Sequence, residues 1–244
     1  MKLKLMSSSI AITSLILVGL MSSNEVLAAT LETNPNYIVE DNSVETVSKS
    51  REDVIKWFKD NGVDQETINE LMNKLDNNEP LDSINPSMKS MGRCVYSDDT
   101  QTKVVYPDGS ISITGLEGGE IIESPKSRAG LSGGSGSSGS GYSSRRGVKV
   151  YHNSGVVDMS YYANYTFVQG GYDKIDGVYN KKCVSYLGTW TYLSFGRQKI
   201  TENLNGPARA RFEVIYNANA GTEASCNYWL DIRVGKDSAK AVFG

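Results

Sequence analysis

From Val157 to Phe167 every second residue is apolar or aromatic. Val157, Met159, Tyr161, Ala163, Tyr165 and Phe167 alternate with Asp158, Ser160, Tyr162, Asn164 and Thr166. Strand side chains point to opposite faces with period two, so this run carries one continuous buried face and does not suit a helix of period 3.6. The signature recurs downstream. In "ARARFEVIYNA", Ala210, Phe212, Val214 and Tyr216 share a side, and Ala224, Cys226, Tyr228, Leu230, Ile232 and Val234 do so in the last long run. In "KKCVSYLGTWTYLSFG" a strict alternation puts Cys183, Leu187, Leu193 and Phe195 on one face. Val184, Tyr186, Trp190 and Tyr192 then take the other. Four or more long strands with no helix between them predict an antiparallel sandwich or barrel over residues 145–244.

The strand phase locates candidate sites. Cys183 and Cys226 both point to apolar faces, which predicts a structural disulfide between them. That leaves Cys94 as an odd thiol, and its pairing with either of the others stays open. Tyr186, Trp190, Tyr192 and Trp229 lie opposite an already apolar face, so a one-sided sheet would expose them as an aromatic binding patch. Arg209, Arg211 and Arg233 are the cations placed to flank it. A glycan, a polyanionic wall polymer or a protein partner suits such a surface.

Upstream the pattern is different. Ser50 is an N-cap with Asp53 three residues on, predicting a short helix to about Asp60. Asp64 caps a second, whose Ile68, Leu71, Met72 and Leu75 form one stripe. A hairpin follows, with "PDG" at 107–109 between alternating runs. The expected class is therefore α+β, with a small N-terminal helical hairpin and β-hairpin (50–124) ahead of the all-β antiparallel domain (145–244).

Between them, "RAGLSGGSGSSGSGYSS" contains G-x-S-x-G around Ser132. A nucleophile elbow needs a strand before the serine and a helix after it. Gly and Ser on both sides supply neither, so residues 125–144 read as a flexible linker. His152 is the sole histidine. It is the only base available to Ser132 or Cys94, and nothing in the sequence order pairs it with an acid, so no catalytic residue is assigned. Without C-x-x-C spacing or further histidines no metal site is expected either, and no cofactor motif is present.

At the N-terminus, Lys2 and Lys4 precede an apolar run and then "VLAA", the layout of a signal peptide over 1–28 followed by a polar leader over 29–49. The run is shorter than the ~20 residues of a spanning helix, and none that long follows. A secreted, extracellular protein without a membrane anchor is expected. Charge is split along the chain. Thr30 to Arg93 holds 13 acidic and 7 basic side chains, and Arg145 to Gly244 holds 8 acidic and 13 basic. The helical segment is thus acidic, and with export this excludes a nucleic-acid reading, because phosphate contact needs Lys and Arg.

"NGVDQETINELMNKLDNNEPLDSINP" followed by "YPDGSISI", together with "FVQGGYDKIDGVYN" and "PARARFEV", resembles segments of largely uncharacterised secreted two-part proteins of Gram-positive bacteria. The resemblance implies compartment and architecture and brings no catalytic residues. The expected function is that of a secreted, non-catalytic binding protein acting at a cell surface, on a wall polymer or on a protein. The alternative is an antibacterial or toxin-like effector released from a precursor by cleavage in the linker, at Lys126, Arg128, Arg145 or Arg146.

Overall fold

The computed structural model describes residues 44–123, 141–218 and 225–244. The expected signal peptide, most of the expected leader and the core of the Gly/Ser tract with Ser132 lie outside the described residues. All described residues belong to one unit, Asn42–Gly244.

Two helices form where capping chemistry starts them. Helix α1 (Arg51–Asp60) opens on a capping box: Ser50 Oγ accepts from the Asp53 backbone N–H, and the Asp53 carboxylate accepts from the Ser50 N–H. Helix α2 (Gln65–Asp76) opens on Asp64, which accepts from the Thr67 N–H at 2.9 Å. Between them Gly62 takes φ +79°, a backbone state glycine enters without penalty. Val54 and Phe58 of α1 and Ile68, Leu71, Met72 and Leu75 of α2 are buried. Each such side chain contributes at most about 1.5–3 kcal/mol of transfer free energy.

The strands are β1 (Glu45–Ser48), β2 (Arg93–Ser97), β3 (Gln101–Val105), β4 (Ile111–Glu117), β5 (Glu120–Glu123), β6 (Tyr142–Asn153), β7 (Val157–Val168), β8 (Lys174–Ser185), β9 (Thr189–Lys199), β10 (Ala208–Asn217), β11 (Ser225–Gly235) and β12 (Ser238–Phe243). They make an eight-stranded sheet ordered β1-β8-β7-β6-β4-β3-β2, with β5 also on β6, and a four-stranded sheet ordered β12-β11-β10-β9. The alternation from Val157 to Tyr165 turns its apolar side inward as read, and Tyr161 joins the two layers. Its ring meets Phe195 at 5.3 Å and Phe212 at 6.5 Å, and its hydroxyl donates to the Ala210 carbonyl at 3.4 Å.

This arrangement corrects the expected class in three respects. Strand accounts for 57% of the described residues and helix for 17%, so the protein is mainly β. The large sheet is mixed rather than antiparallel, because β1 runs parallel to β8, with Glu45 opposite Lys182 and Ser48 opposite Ser185. And residues 50–124 do not form a helical and hairpin part that stands apart. The hairpin continues into the large sheet through β4 on β6, Ile113 opposite Asn153 to Glu117 opposite Lys149. The physical reason is the one that makes isolated hairpins marginal: two strands bury too little, so they join a sheet that already exists.

The helices are tied to the same body. Gly155, at φ +81°, packs so closely that an added Cβ would lie 2.6 Å from the Trp57 ring. Lys49 Nζ bonds both the Gly155 carbonyl at 2.7 Å and Asp158 at 2.8 Å. Lys74 bridges Asp108 at 2.9 Å and Asp82 at 3.3 Å. Among the described residues no helix is long and apolar enough to cross a membrane.

Candidate functional site

The predicted aromatic patch does not assemble, because the strand phase changes in the turn between β8 and β9 and again at a β-bulge in β9. Along β9 the partners of β10 run Trp190 to Tyr216 and Tyr192 to Val214, and then the register shifts so that Ser194 faces Glu213 and Phe195 faces Phe212. Tyr216, Val214 and Phe212 all lie on the buried side of β10. The extra residue therefore places Trp190, Tyr192 and Phe195 on one side, where strict alternation had divided them. Leu193 is sent outward instead and is 42% exposed. Trp190 packs on Tyr216 at 4.9 Å and donates from Nε1 to Ser185 Oγ at 3.2 Å. Tyr192 lies under the Lys181 ammonium at 5.2 Å. Tyr186 is half-buried, and its phenol neighbours Arg51.

The predicted disulfide is absent as well: Cys94, Cys183 and Cys226 are all free thiols. Cys183 sits in β8 of the large sheet, opposite Met159, and Cys226 at one end of β11 in the small sheet, opposite Tyr216. The two thiols lie in different sheets, and facing an apolar side is not enough for a disulfide, which also needs a short Cβ separation. Burial pushes the Cys183 thiol well above its ordinary range.

His152 is fully buried in β6. Its ring stacks on Phe243 at 3.5 Å, Nδ1 pairs with Thr114 Oγ1 at 2.8 Å, and Nε2 has no partner. Burial, with the Lys89 charge adding to it, holds its pKa down to about 3. Cys94 lies on edge strand β2, three strands away from β6. The structure does not bring the two together. Among the described residues no three His, Cys, Asp or Glu side chains are grouped to hold a metal ion.

Arg209, Arg211 and Arg233 lie together on the outer side of the small sheet. β10 alternates buried and half-buried along its whole length, and its outward residues are Arg209, Arg211, Glu213, Ile215 and Asn217, the first three of them charged. Opposite those three on β11 stand Arg233, Asp231 and Trp229. Arg209 also faces Lys199 of β9, beside a bulge, and Arg233 faces Lys240 of β12. Lys199, Arg209, Arg233 and Lys240 thus form one row across all four strands, about 14 Å long at the usual strand spacing of ~4.8 Å.

Like charges directly opposite one another disfavour pairing, so the balance around the row matters. Its nearest carboxylate, Asp231, is 0% exposed and already engaged by Arg211, with Nε at 2.7 Å and Nη2 at 3.1 Å. Arg233 reaches Asp231 only at 3.5 Å, and its Nε has no partner. Lys199 is held by Asn203 at 2.6 Å and the Gly206 carbonyl at 2.7 Å. Among the described residues neither Arg209 nor Lys240 has a carboxylate within ion-pair distance. Hydrogen bonding to Asp231 holds Arg211 even further above its ordinary pKa, so it stays charged.

Trp229 plays a different part from the one predicted. The Arg211 guanidinium covers its ring at 4.2 Å and the Lys89 ammonium lies 5.5 Å from it. Its backbone exchanges two hydrogen bonds with Gly244. The indole is therefore a support that orients cations rather than a vacant stacking platform. Sequence reasoning missed Lys199, Lys240 and Lys89. The alternation of Ala239, Ala241 and Phe243 toward the core was the signal that sent Lys240 outward.

No protein-family model and no curated protein matches this chain. A hypothetical protein from Listeria monocytogenes EGD-e, known from a 2.75 Å crystal structure, aligns with 65% of this chain and 98% of its own. The identity is 19% and the TM-score 0.30, too distant to carry an argument about fold or function.

Proposed function

We propose that this protein is an extracellular, non-catalytic binding protein that engages an anionic polymer of a cell surface through the outer face of its four-stranded sheet. The observation that carries the reading is the row Lys199–Arg209–Arg233–Lys240, four cations in cross-strand register whose one ion pair among the described residues is the 3.5 Å contact of Arg233 with the buried Asp231. A polymer bearing phosphodiester or carboxylate groups relieves the repulsion along the row. Two of the four cations are already held in place, Lys199 by Asn203 and the Gly206 carbonyl and Arg233 by Asp231, so less side-chain freedom is lost on binding. The acidic helical segment leaves this face as the basic side of a chain whose formal net charge is −3.

The test is co-sedimentation of the mature chain with purified Gram-positive cell walls, before and after the anionic polymers are stripped from them. Retention is expected on intact walls only, and it falls as salt is raised from 50 to about 500 mM, because screening shortens from over 10 Å to about 4 Å. Arg209→Glu with Arg233→Glu abolishes it. Equal retention on stripped walls, or by the doubly reversed variant, rejects the reading.

A further inference from the structure

A second site lies away from the basic face, where the end of α2 and the turn after it approach one end of the small sheet. A cavity of about 200 Å³ opens there. Leu75, Ile84, Val156 and Leu187 supply its aliphatic wall, and Tyr216 and Tyr228 its aromatic one. Those two rings stack at 5.9 Å with 20° between their planes. Trp190 backs Tyr216 at 4.9 Å and Phe243 backs Tyr228 at 5.3 Å. The aromatic wall is thus braced from behind, which keeps the cavity from collapsing.

The chemistry of the lining selects the occupant. Both phenol hydroxyls are spent on backbone carbonyls, Tyr216 on Leu187 at 2.7 Å and Tyr228 on Ile84. Water held in a cavity needs two to four polar partners, and on the enclosed side the described lining offers the Cys226 thiol and Asn85, whose Oδ1 already accepts from the Ser87 N–H at 3.1 Å. Among the described residues no cation lines it, and the one carboxylate that does, Glu79, is exposed on the solvent side with Asn78 and Pro80. Interiors are otherwise close-packed, and an apolar void of ~150 Å³ is already enough to stay dry and take up benzene.

We infer that this cavity is a binding site for a small, neutral, planar apolar molecule of one- or two-ring size, seated on the Tyr216–Tyr228 pair with Cys226 at its edge. The inference is independent of the polymer reading, since none of the basic-row residues lines the cavity.

Three thiols in different settings provide the readout: Cys94 exposed, Cys226 half-buried, Cys183 buried. The full chain is alkylated with iodoacetamide, with and without indole as the probe, and each site is followed by mass spectrometry. Indole at about ten times its Kd is expected to slow Cys226 by about tenfold, in proportion to occupancy, and to leave Cys94 unchanged. Saturation-transfer NMR with indole gives a second measure. Ala218→Leu, which grows a side chain into the cavity from its wall, is expected to abolish the transfer while the variant still shows a cooperative thermal transition. An unchanged Cys226 rate together with absent transfer overturns the inference, as does transfer that persists in Ala218→Leu. Should Cys226 not alkylate at all, the NMR comparison alone decides.

Discussion

Arg211 and Trp229 are diagonal neighbours on the outer side of β10 and β11, with the guanidinium carbon 4.2 Å from the indole centroid. The same guanidinium holds Asp231, whose carboxylate is wholly buried. One side chain thus satisfies a buried anion and caps an aromatic ring, while 21% of it still reaches solvent.

This sharing makes the two halves of the pair unequal. Arg211→Ala leaves a buried carboxylate with only the 3.5 Å contact to Arg233, and it is expected to cost about 3 kcal/mol, the usual penalty for orphaning a buried charge. Asp231→Asn is expected to cost less, about 1 kcal/mol, because Arg211 can turn to solvent and keep its contact with Trp229. Urea unfolding measures both. Equal losses would mean that burial of Asp231 is not what the pair relieves.

Reversing one charge in the basic row separates stability from binding. Arg209 stands opposite Lys199 on one side and Arg233 on the other. Arg209→Glu converts two like-charge oppositions into attractive ones, and it is expected to stabilise the fold by about 0.5–1 kcal/mol. The same change removes a central cation from the proposed polymer face, so wall retention is expected to fall. A gain in stability with a loss of binding is what a surface kept for a ligand shows. A change that left stability untouched would argue that the row is fully screened by solvent.

Protonation of His152 sets an acid limit on the fold. Its folded pKa is held down to about 3, against about 6.5 in an unfolded chain. The unfolded state therefore takes up the proton first. The stability contributed by the neutral ring is complete above about pH 6.5 and is lost as pH falls from there toward 3, at roughly 1.4 kcal/mol per pH unit. His152→Phe can still stack on Phe243 but binds no proton. Its unfolding free energy between pH 7 and 4.5 is expected to slope less steeply than that of the parent, by up to one proton. Parallel slopes would show that His152 is reached by protons in the native state.

The local features of this structure were legible, and the failures came from pairing between distant strands and from shifts of strand phase. Ser50 and Asp64 announced both helix starts, and the Ile68-Leu71-Met72-Leu75 stripe announced the buried side of α2, because capping and periodicity act over a few residues. What those helices would pack against was not legible, since pairing between β4 and β6 or between β1 and β8 depends on residues far apart in sequence. Trp190 and Tyr192 were inverted because the alternation was carried unbroken from β8 through the turn into β9, where the phase changes, and the bulge at Leu193 then restores it for Phe195. Arg209, Arg211 and Arg233 share the outward side, because β10 and β11 pair without interruption from Ala208 opposite Val234 to Asn217 opposite Ser225. The lysines that complete the row lie on the flanking strands, one of them beyond a bulge.

Cleavage within the Gly/Ser tract is expected not to release an effector. The described strands on either side of the tract pair with each other, Glu120 opposite Arg146 and Glu123 opposite Ser143. The segment before it contributes β1 to β5 and both helices, and the segment after it contributes β6 to β12. Those two segments share the β4–β6, β5–β6 and β1–β8 ladders. They also share one core, in which Phe58 and Leu71 join Val157 and Phe212. A cut removes only the covalent link and leaves those contacts in place. A specific protease site placed within residues 131–138 allows the cut to be made in the native protein. Gel filtration of the cut chain is expected to give one peak at the uncut position, with two fragments only on a denaturing gel. Dissociation under native conditions would mean that the ladders do not hold the segments together, and would return the precursor reading to consideration.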